Sequence, residues 1–364
     1  MAFEVTDAIN RNSELWQRLR AMPKIELHRH LEGAIRIETL VEIAKLHDIP
    51  LPSYDCDILR PYVQVTRDDP ADHKHFLTKF SFLRQLFISE EVIRRVARET
   101  VEDAAADNIR YMELRFTPYA QAKLMNFALQ DVVDWVTDTV AAAAQELGIK
   151  VNLIVAMNRH ESVEIGREMY EVALAYRDRG VVGVDLCGNE VGYPADPFAD
   201  IFLDAHREGL GVTIHAGEWQ GHENVLYAIN HMKTRRIGHG VRTVEDSKAL
   251  WRAVNDNVYF EVCPTSNMQT GVVPSLNLHP LIDLSYSDAK ITLNTDDPAI
   301  HNVSLTDEYA LAVQGLDLPV SFLKRCLANA VDCAFLPEDE RDNLRTMFKP
   351  AMQELDTLSR ELRY

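Results

Sequence analysis

The sequence predicts an α/β protein in which eight parallel strands close into a (β/α)8 barrel. Three observations support this fold. Short apolar runs recur eight times, helix-like segments separate most of them, and polar residues concentrate where the runs end. Strands that alternate with helices indicate β–α–β units and a parallel sheet. Eight such units fit a closed barrel better than an open doubly wound sheet, and the chain lacks the G-x-G-x-x-G fingerprint of dinucleotide-binding sheets.

The predicted strands are apolar or β-branched runs that stop at polar, Gly or Pro residues. They are Lys24–His30, Ile109–Thr117, Val151–Met157, Val181–Gly188, Gly211–Glu218, Arg236–Gly240, Val258–Pro264 and Lys290–Pro298. Among the helices between them, Leu129–Leu147 carries an alanine run, and Pro197–Glu208 follows Asp196, whose residue type often caps helices. We expect one domain over residues 1–364, with its barrel strands over residues 24–298.

A long segment, residues 31–108, separates the first two predicted strands. It predicts three helices: Ile37–His47, Asp72–Leu86 and Ser89–Asp107. Asp55–Asp72 is rich in Asp and Pro and is expected to be irregular. An insertion after the first strand lies on the catalytic face of a barrel, where it can form a lid. Residues 304–364 are predicted to be helical, with a last helix over Ala351–Arg363.

The composition narrows the possible partners and compartments. The chain has 38 Lys and Arg against 56 Asp and Glu, a net charge of −18, and no Lys/Arg-dense stretch. Neither nucleic acid nor an anionic membrane surface is therefore expected as a partner. The sequence shows no signal peptide and no apolar run long enough to span a membrane. Five cysteines without paired spacing predict no disulfide framework and favour the cytoplasm, while the oligomeric state stays open.

Two histidines, His28 and His30, close the first predicted strand. Side chains alternate across a strand, so both imidazoles point to one side, with backbones roughly 6.6 Å apart at about 3.3 Å per residue. Two rings at that separation can converge on one metal ion. Taken alone, the pair also fits two ordinary surface or core histidines.

Three other predicted strands carry imidazole or carboxylate groups at the face where barrel active sites lie. His215 is near the end of the fifth strand, His239 lies between two glycines at the end of the sixth, and Asp296-Asp297 ends the eighth. Catalytic zinc usually has three protein ligands and a water. The candidate ligands are therefore His28, His30, His215 and either Asp296 or Asp297. Taken singly, His215 also fits a buried structural histidine, and Asp-Asp-Pro fits a turn or a helix start.

Two more residues are candidates for proton transfer. Glu218, three residues after His215, would face the same cavity, and His239 could orient or deprotonate the attacking water. Their structural alternatives are a helix-starting glutamate and a structural histidine. Nine histidines are scattered over predicted helices and loops and are treated as background: His47, His73, His75, His160, His206, His222, His231, His279 and His301. No strand-end lysine is available to bridge two metals, so a single ion is favoured.

The chain resembles the adenosine deaminase family in a set of ordered segments. They are Met22–Gly33, Thr213–Glu218, Arg236–Gly240, Cys263–Asn267 and Leu293–Pro298. The resemblance runs from about residue 22 to 345. It implies a zinc-dependent (β/α)8 barrel, with one Zn²⁺ per chain, that hydrolyses the 6-amino group of adenine-type purines. The implied partner is a small-molecule purine nucleoside.

The resemblance also implies individual roles by position. The implied metal ligands are His28, His30, His215 and Asp296. Glu218 matches the glutamate that protonates purine N1, and His239 matches the histidine that orients or deprotonates the attacking water. Asp297 matches the aspartate that contacts both the water and purine N7, and Gly188 matches the glycine whose backbone amide binds N3.

The chain departs from the family pattern at two positions, and the first of them concerns the substrate. His30 and residue 32 are implied to contact it, and Glu32 stands where many adenosine deaminases have an aspartate that contacts the ribose. Relatives that act on free adenine or on aminodeoxyfutalosine often show this glutamate. Asn189 replaces the commoner aspartate of Gly-Asp-Glu. The segments Gly238–Gly240 and Cys263–Asn267, however, favour nucleoside deaminases.

The resemblance implies hydrolytic deamination of adenosine and 2′-deoxyadenosine to inosine and 2′-deoxyinosine, with release of ammonia, in purine salvage. The first alternative is a related adenine-bearing substrate, either aminodeoxyfutalosine or free adenine. A non-catalytic nucleoside-binding barrel is opposed by the presence of the ligands, Glu218 and His239. A different metallohydrolase on the same barrel is opposed by the lack of a bridging lysine.

Overall fold

The computed structural model describes residues 3–362 and confirms the predicted (β/α)8 barrel. Eight parallel strands run in sequence order, each hydrogen-bonded to the next. They are β1 Lys24–His30, β2 Ile109–Phe116, β3 Lys150–Asn158, β4 Val181–Cys187, β5 Gly211–Ala216, β6 Arg236–His239, β7 Tyr259–Val262 and β8 Lys290–Leu293. Apolar side chains pack between this barrel and the surrounding helices.

The barrel closes through the residues that follow β8. Asp296 pairs with Arg29 of β1 in a parallel bridge. Its backbone N–H donates to the carbonyl of His28 at 2.9 Å, and its carbonyl accepts from the N–H of His30 at 2.9 Å. The seam of the barrel is therefore made by three of the four candidate metal ligands.

Several strands end earlier than predicted. The fifth was expected to reach Glu218 and the eighth Pro298, but they stop at Ala216 and Leu293. The backbone leaves the extended region directly after β5, at Gly217 (φ 66°), and three residues after the end of β8, at Asp296 (φ 63°). A left-handed residue cannot continue a strand. The third strand, in contrast, runs one residue further than predicted at each end.

The first helix, α1 (Glu14–Ala21), precedes the barrel and was not predicted. The insertion after β1 holds five helices: α2 Ile37–Leu46, α3 Cys56–Val63, α4 His73–Thr78, α5 Phe80–Leu83 and α6 Glu90–Ala106. The predicted helix Asp72–Leu86 is thus broken into α4, α5 and a 3-10 turn. Asp55–Asp72 was wrongly expected to be wholly irregular, because the Asp55 side chain caps α3 by accepting from the N–H of Asp57 at 2.9 Å.

Ten further helices lie outside the barrel, either between its strands or after the last strand. They are α7 Pro118–Ala122, α8 Leu129–Leu147, α9 Val163–Ala175, α10 Ala199–Arg207, α11 His222–His231, α12 Ser247–Asn255, α13 Pro264–Gln269, α14 Leu281–Tyr286, α15 Pro298–His301 and α16 Leu305–Ala310. Asp196 does not cap the helix predicted over Pro197–Glu208, because residues 196–198 form a 3-10 turn before α10.

The chain after Ser304 is largely helical, as predicted, and its last two helices are α17 Val320–Cys333 and α18 Glu338–Glu361. The last predicted helix reached Arg363, which lies outside the described residues. Its observed counterpart, α18, begins 13 residues before the predicted start at Ala351. Between residues 3 and 362, no helix is long and apolar enough to cross a membrane.

Charged side chains fill part of the barrel interior, which is unusual for a protein core. Arg236 of β6 is buried; its Nε donates to Glu261 at 2.6 Å and its Nη1 to Glu113 at 2.5 Å. The guanidinium also lies 3.8 Å from the ring centroid of Phe335, which follows α17 in the chain and lies beside Gly183 of β4 and Gly211 of β5. Arg236 therefore joins β2, β6 and β7 to the C-terminal segment.

We expect Arg236→Ala to lower the free energy of unfolding by about 3–5 kcal/mol, because it leaves the buried carboxylate of Glu113 without its counter-charge and removes one of the two arginines that pair with Glu261. Urea denaturation followed by circular dichroism measures this change. Arg235→Ala is the matched control, since its side chain is exposed and the change should be within about 0.5 kcal/mol. A similar stability for both variants would contradict the structural importance of the Arg236 ion pairs.

Candidate active site

The four predicted metal ligands come together at the carboxyl end of the barrel. One ligand atom from each lies within 4.8 Å of the other three; the residues are His28, His30, His215 and Asp296. The Oδ1 of Asp296 lies 3.3 Å from Nε2 of His28 and 3.4 Å from Nε2 of His30. The Nε2 atoms of His30 and His215 are 3.3 Å apart. Two strands, β1 and β5, and the barrel seam thus aim three nitrogens and one oxygen at one point.

Two buried carboxylates orient the imidazoles. Glu261 of β7 lies 2.8 Å from Nδ1 of His28, and Asp185 of β4 lies 3.1 Å from Nδ1 of His215. Arg115 of β2 donates to both carboxylates, at 2.8 and 2.9 Å. With Nδ1 as the donor to a carboxylate, each ring turns Nε2 toward the cluster, which is the usual arrangement behind metal-binding histidines.

The donor set fits a divalent metal such as zinc. His28 Nε2 is buried and has no aligned hydrogen-bond partner in the described residues. Burial lowers the pKa of His30 and of His215, which favours the neutral imidazole that binds metals. For His28, burial also favours the neutral ring, but the nearby carboxylates of Asp296 and Glu261 outweigh it and raise the pKa. A metal cation bound at the cluster would balance the negative charge of Asp296 and Glu261, as a proton on the His28 ring does.

Asp296 is held in an uncommon backbone conformation. Its φ of 63° lies in the left-handed region, which costs a non-glycine residue about 1–3 kcal/mol. The barrel-closing hydrogen bonds fix its backbone, and Ser266 Oγ donates to its Oδ2 at 2.8 Å. Burial opposes its ionisation, but the imidazoles of His28, His239 and His30 hold its pKa well below the usual range.

Glu218 lies just beyond β5 and faces the same cavity. Its Oε2 is 3.7 Å from Nε2 of His239. Burial, reinforced by the negative charges of Asp296, Glu190 and Asp297, raises the pKa of Glu218 well above its usual value. Its carboxyl group is therefore suited to carry a proton at neutral pH. Glu218 does not start a helix, because α11 begins at His222.

His239 is the last residue of β6 and has a left-handed backbone, with a φ of 60°. Its Nε2 lies 3.7 Å from Oδ2 of Asp296, and its Nδ1 is 3.2 Å from Nδ2 of Asn267. Burial lowers its pKa well below the usual value. The imidazole is thus neutral and close to the ligand carboxylate, where it can accept or hold a proton.

Asp297 lies beside the cluster, with its Oδ1 buried and lacking a partner among the described residues. Burial and the charges of Asp296 and Glu32 raise its pKa well above the usual value. Gly33 makes room for it, since a Cβ at that position would lie 1.7 Å from Oδ1 of Asp297. The glycine of the His-Leu-Glu-Gly segment is therefore required by the close approach of this carboxyl group.

A cavity of about 340 Å³ opens over the cluster, within the size range of small-molecule sites. Its lining includes every predicted substrate-binding residue: His30, Glu32, Gly188 and Asp297. The insertion after β1 contributes an outer wall, made by Phe76, Leu77, Phe80 and Arg84. The lid expected from the sequence is thus part of the cavity wall, although its motion stays a prediction.

Glu32 is buried at one side of this cavity. Its Oε1 accepts hydrogen bonds from the backbone N–H of Thr117 at 2.8 Å and from Nε2 of Gln121 at 2.9 Å. One carboxylate oxygen is therefore engaged by β2 and α7. The contacts fix the side chain at the cavity edge.

Sequence reasoning missed several residues at this site. Those that orient the imidazoles are Asp185, Glu261 and Arg115, and the cavity wall also includes Asn158, His160 and Trp219. His160 had been treated as background. A detectable signal existed for the first group, because charged residues interrupt otherwise apolar strands at Asp185 and Glu261.

The fold and site define a metal-dependent hydrolase of the barrel type, and comparison with known proteins agrees. The family model described as adenosine deaminase matches residues 23–349. Adenosine deaminase from Aliivibrio fischeri is 38% identical over 329 residues, which cover 90% of this chain and 98% of the relative. Adenosine deaminase from Pectobacterium atrosepticum is 37% identical and covers 89% and 96%. The chain belongs to the adenosine deaminase family.

Solved structures show the same architecture. A zinc-bound amidohydrolase from Burkholderia ambifaria has a TM-score of 0.87 at 25% identity, covering 97% of this chain and 98% of that one. Adenine deaminase from Arthrobacter aurescens has a TM-score of 0.83 at 27% identity, covering 93% and 99%. The chain is therefore a hydrolase of the amidohydrolase type acting on C–N bonds.

We expect Asp185→Asn to weaken metal binding by about 10- to 100-fold, because it removes the carboxylate that orients His215. Competition with a zinc chelator measures the affinity. Asp178→Asn is the control, since Asp178 is exposed and lies just before β4. Unchanged zinc affinity in the folded Asp185 variant would mean that the carboxylate does not tune this histidine.

Proposed function

We propose that the protein deaminates adenosine and 2′-deoxyadenosine hydrolytically, using one zinc ion per chain, and releases inosine or 2′-deoxyinosine and ammonia. The observation that carries this proposal is the convergence of four metal-ligand atoms beside a buried, proton-carrying carboxyl group. Membership of the adenosine deaminase family supports the reaction type. A purine-salvage role in the cytoplasm follows from the proposal and from the absence of paired cysteine spacing.

The ligand residues would hold the metal through three imidazole nitrogens and one carboxylate oxygen; they are His28, His30, His215 and Asp296. A zinc ion bound there supplies Lewis acidity that lowers the pKa of water from 15.7 toward about 7. His239 orients the attacking water and accepts its proton, since its neutral ring lies 3.7 Å from the ligand carboxylate.

Glu218 acts as the general acid. Its carboxyl proton goes to N1 of the purine, which makes C6 electrophilic and ready for attack by water. Burial and neighbouring negative charges keep this proton in place at neutral pH. The proton that His239 took from water then goes to the amino nitrogen, the C6–N bond breaks to release ammonia, and the proton of the new C6 hydroxyl returns to Glu218 while N1 keeps its proton in the product.

Asp297 and Gly188 position the purine ring. The carboxyl group of Asp297 is available to the attacking water and to purine N7: its raised pKa favours the protonated form, which can donate a hydrogen bond to the N7 lone pair, and its Oδ1 has no other partner in the described part of the chain. Gly188 follows β4 with a φ of 84°, and its backbone amide is proposed to bind N3. The two residues would hold opposite sides of the purine ring.

The sugar is proposed to lie between Glu32, His30 and the wall from the insertion. A second candidate, deamination of aminodeoxyfutalosine or free adenine, is favoured by Glu32, because one of its oxygens is already bonded to Thr117 and Gln121. The adenine deaminase of Arthrobacter aurescens among the structural relatives points the same way. Adenosine remains the proposed substrate because the adenosine deaminases are the more similar in sequence.

Ammonia release from a panel of substrates separates these candidates. We expect the zinc-loaded protein to turn over adenosine and 2′-deoxyadenosine faster than adenine, methylthioadenosine or aminodeoxyfutalosine. A preference for adenine or aminodeoxyfutalosine would keep the mechanism and replace the substrate. No turnover across the panel would overturn the proposed deaminase activity.

Glu218→Gln is expected to lower kcat by about 100- to 10,000-fold, since it removes the proton donor. Zinc content, measured by atomic emission, should stay the same, because Glu218 is outside the ligand set. His215→Ala is the contrasting variant and should lose the metal itself. Normal turnover by Glu218→Gln would show that another group donates the proton.

A further inference from the structure

Glu190 makes an unusual set of hydrogen bonds to the loop that carries Glu218. Its side chain is buried in the loop that follows β4. It accepts from four consecutive backbone N–H groups at 2.8–3.1 Å, those of Gly217, Glu218, Trp219 and Gln220. Asn224 Nδ2 adds a fifth donor at 2.8 Å. One carboxylate therefore satisfies the whole turn between β5 and α11.

Among the residues that the structure describes, Glu190 is the acceptor for all four of these amides. Four successive N–H groups that point to one side form an anion-binding concavity, and Glu190 fills it. Gly217 bends the chain into this shape with a φ of 66°, and a Cβ there would lie 2.5 Å from Val225. Without an acceptor there, the two buried amides, of Gly217 and Glu218, would lack partners, which proteins avoid, and the partly buried amides of Trp219 and Gln220 would lose theirs.

Arg159 holds the same segment from the other side. It donates to the carbonyl of His215 and, at 3.3 Å, to the carbonyl of Tyr193. Arg159 thus ties the metal-ligand strand and the loop after β4 together. The backbone around Glu218 is fixed by an acceptor on one side and a donor on the other.

We propose that Glu190 is a positioning residue for the proton donor: its carboxylate fixes the 217–220 turn and thereby holds the Glu218 carboxyl group at the cavity. The inference rests on the proposed role of Glu218. Glu190 itself does not line the cavity, and its side-chain hydrogen bonds go to backbone amides and to Asn224. Its contribution to catalysis therefore acts through Glu218.

The charge of Glu190 has a second effect on the donor. Glu218 faces Asp296 and Asp297 after β8, Glu190 after β4, His239 at the end of β6 and Arg159 after β3. The three carboxylates favour the protonated form of Glu218 and Arg159 opposes it. Loss of the Glu190 charge should let Glu218 lose its proton at lower pH.

A double-mutant cycle tests the proposal. We expect Glu190→Gln to lower kcat for adenosine by about 10- to 100-fold in the native background, the size of effect produced by a misplacement near 1 Å. In the Glu218→Gln background, the same change should lower kcat by less than about 3-fold, because the group through which it acts is gone. An equal loss in both backgrounds would overturn the proposal and indicate a general structural role.

The pH profile gives a readout that loss of stability alone does not move. The alkaline limb of kcat/KM should shift to lower pH in Glu190→Gln, which removes the charge. The alkaline limb should stay at the same pH in Glu190→Asp, because aspartate keeps the negative charge although its side chain is shorter. Should Glu190→Gln fail to fold, Glu190→Asp carries the double-mutant cycle instead. An unshifted limb in a folded Glu190→Gln variant contradicts the charge effect.

Hydrogen exchange tests the turn without any turnover. Amides 217–220 of the zinc-loaded protein should be protected, and Glu190→Gln should exchange them at least 10-fold faster while leaving the peptides of β1 unchanged. Glu208→Gln is the control, since Glu208 is exposed beyond α10. Unchanged protection in Glu190→Gln overturns the proposal. An inactive wild-type protein with the expected exchange would instead refute the proposed function and retain the anchored turn.

Discussion

The interaction on which the rest of the structure depends is the buried charge layer centred on Glu261. One of its oxygens is shared by His28 and Arg115, and the other by Arg236 and Thr213. Burial alone would raise the pKa of Glu261, but the two arginines and His28 keep it well below the usual range. A single ionised carboxylate thus joins five strands and orients His28, one of the proposed metal ligands, toward the cluster. Stability and catalytic geometry come from the same contacts.

The barrel seam shows a second coupling between fold and site. Asp296 closes the barrel through backbone hydrogen bonds to β1, and the same residue offers its carboxylate to the cluster. Its left-handed φ persists because those bonds and Ser266 hold it from both sides. The two histidines of β1 and Asp296 therefore have their relative positions set by barrel closure. A site built on rigid elements in this way needs little reorganisation to receive a cation.

The sequence could predict the groups that meet at strand ends, but not the groups that support them. His28 and His30 were predictable because strand alternation aims both rings the same way, and the barrel brings His215 to them. Glu190 could not be predicted, since its partners are amides of a turn whose shape local sequence does not specify. Asp72–Leu86 was predicted as one helix, yet Lys79 is buried there and donates to Asp69 at 2.8 Å. This contact lies at the break between α4 and α5. The helical periodicity of the sequence gives no sign of that break.

The carboxyl groups of the site have different protonation states because their surroundings differ. Imidazoles keep Asp296 ionised. In contrast, burial and the negative charge of Asp296 keep protons on Glu218 and on Asp297. Environments that push the pKa values of neighbouring acids apart are the general means by which one site holds both a ligand anion and a proton donor. The ionised carboxylate of Asp296 also raises the pKa of Glu218, the proposed proton donor. Because Glu190 adds to that effect while fixing the turn, the position and the protonation state of Glu218 depend on the same buried carboxylate.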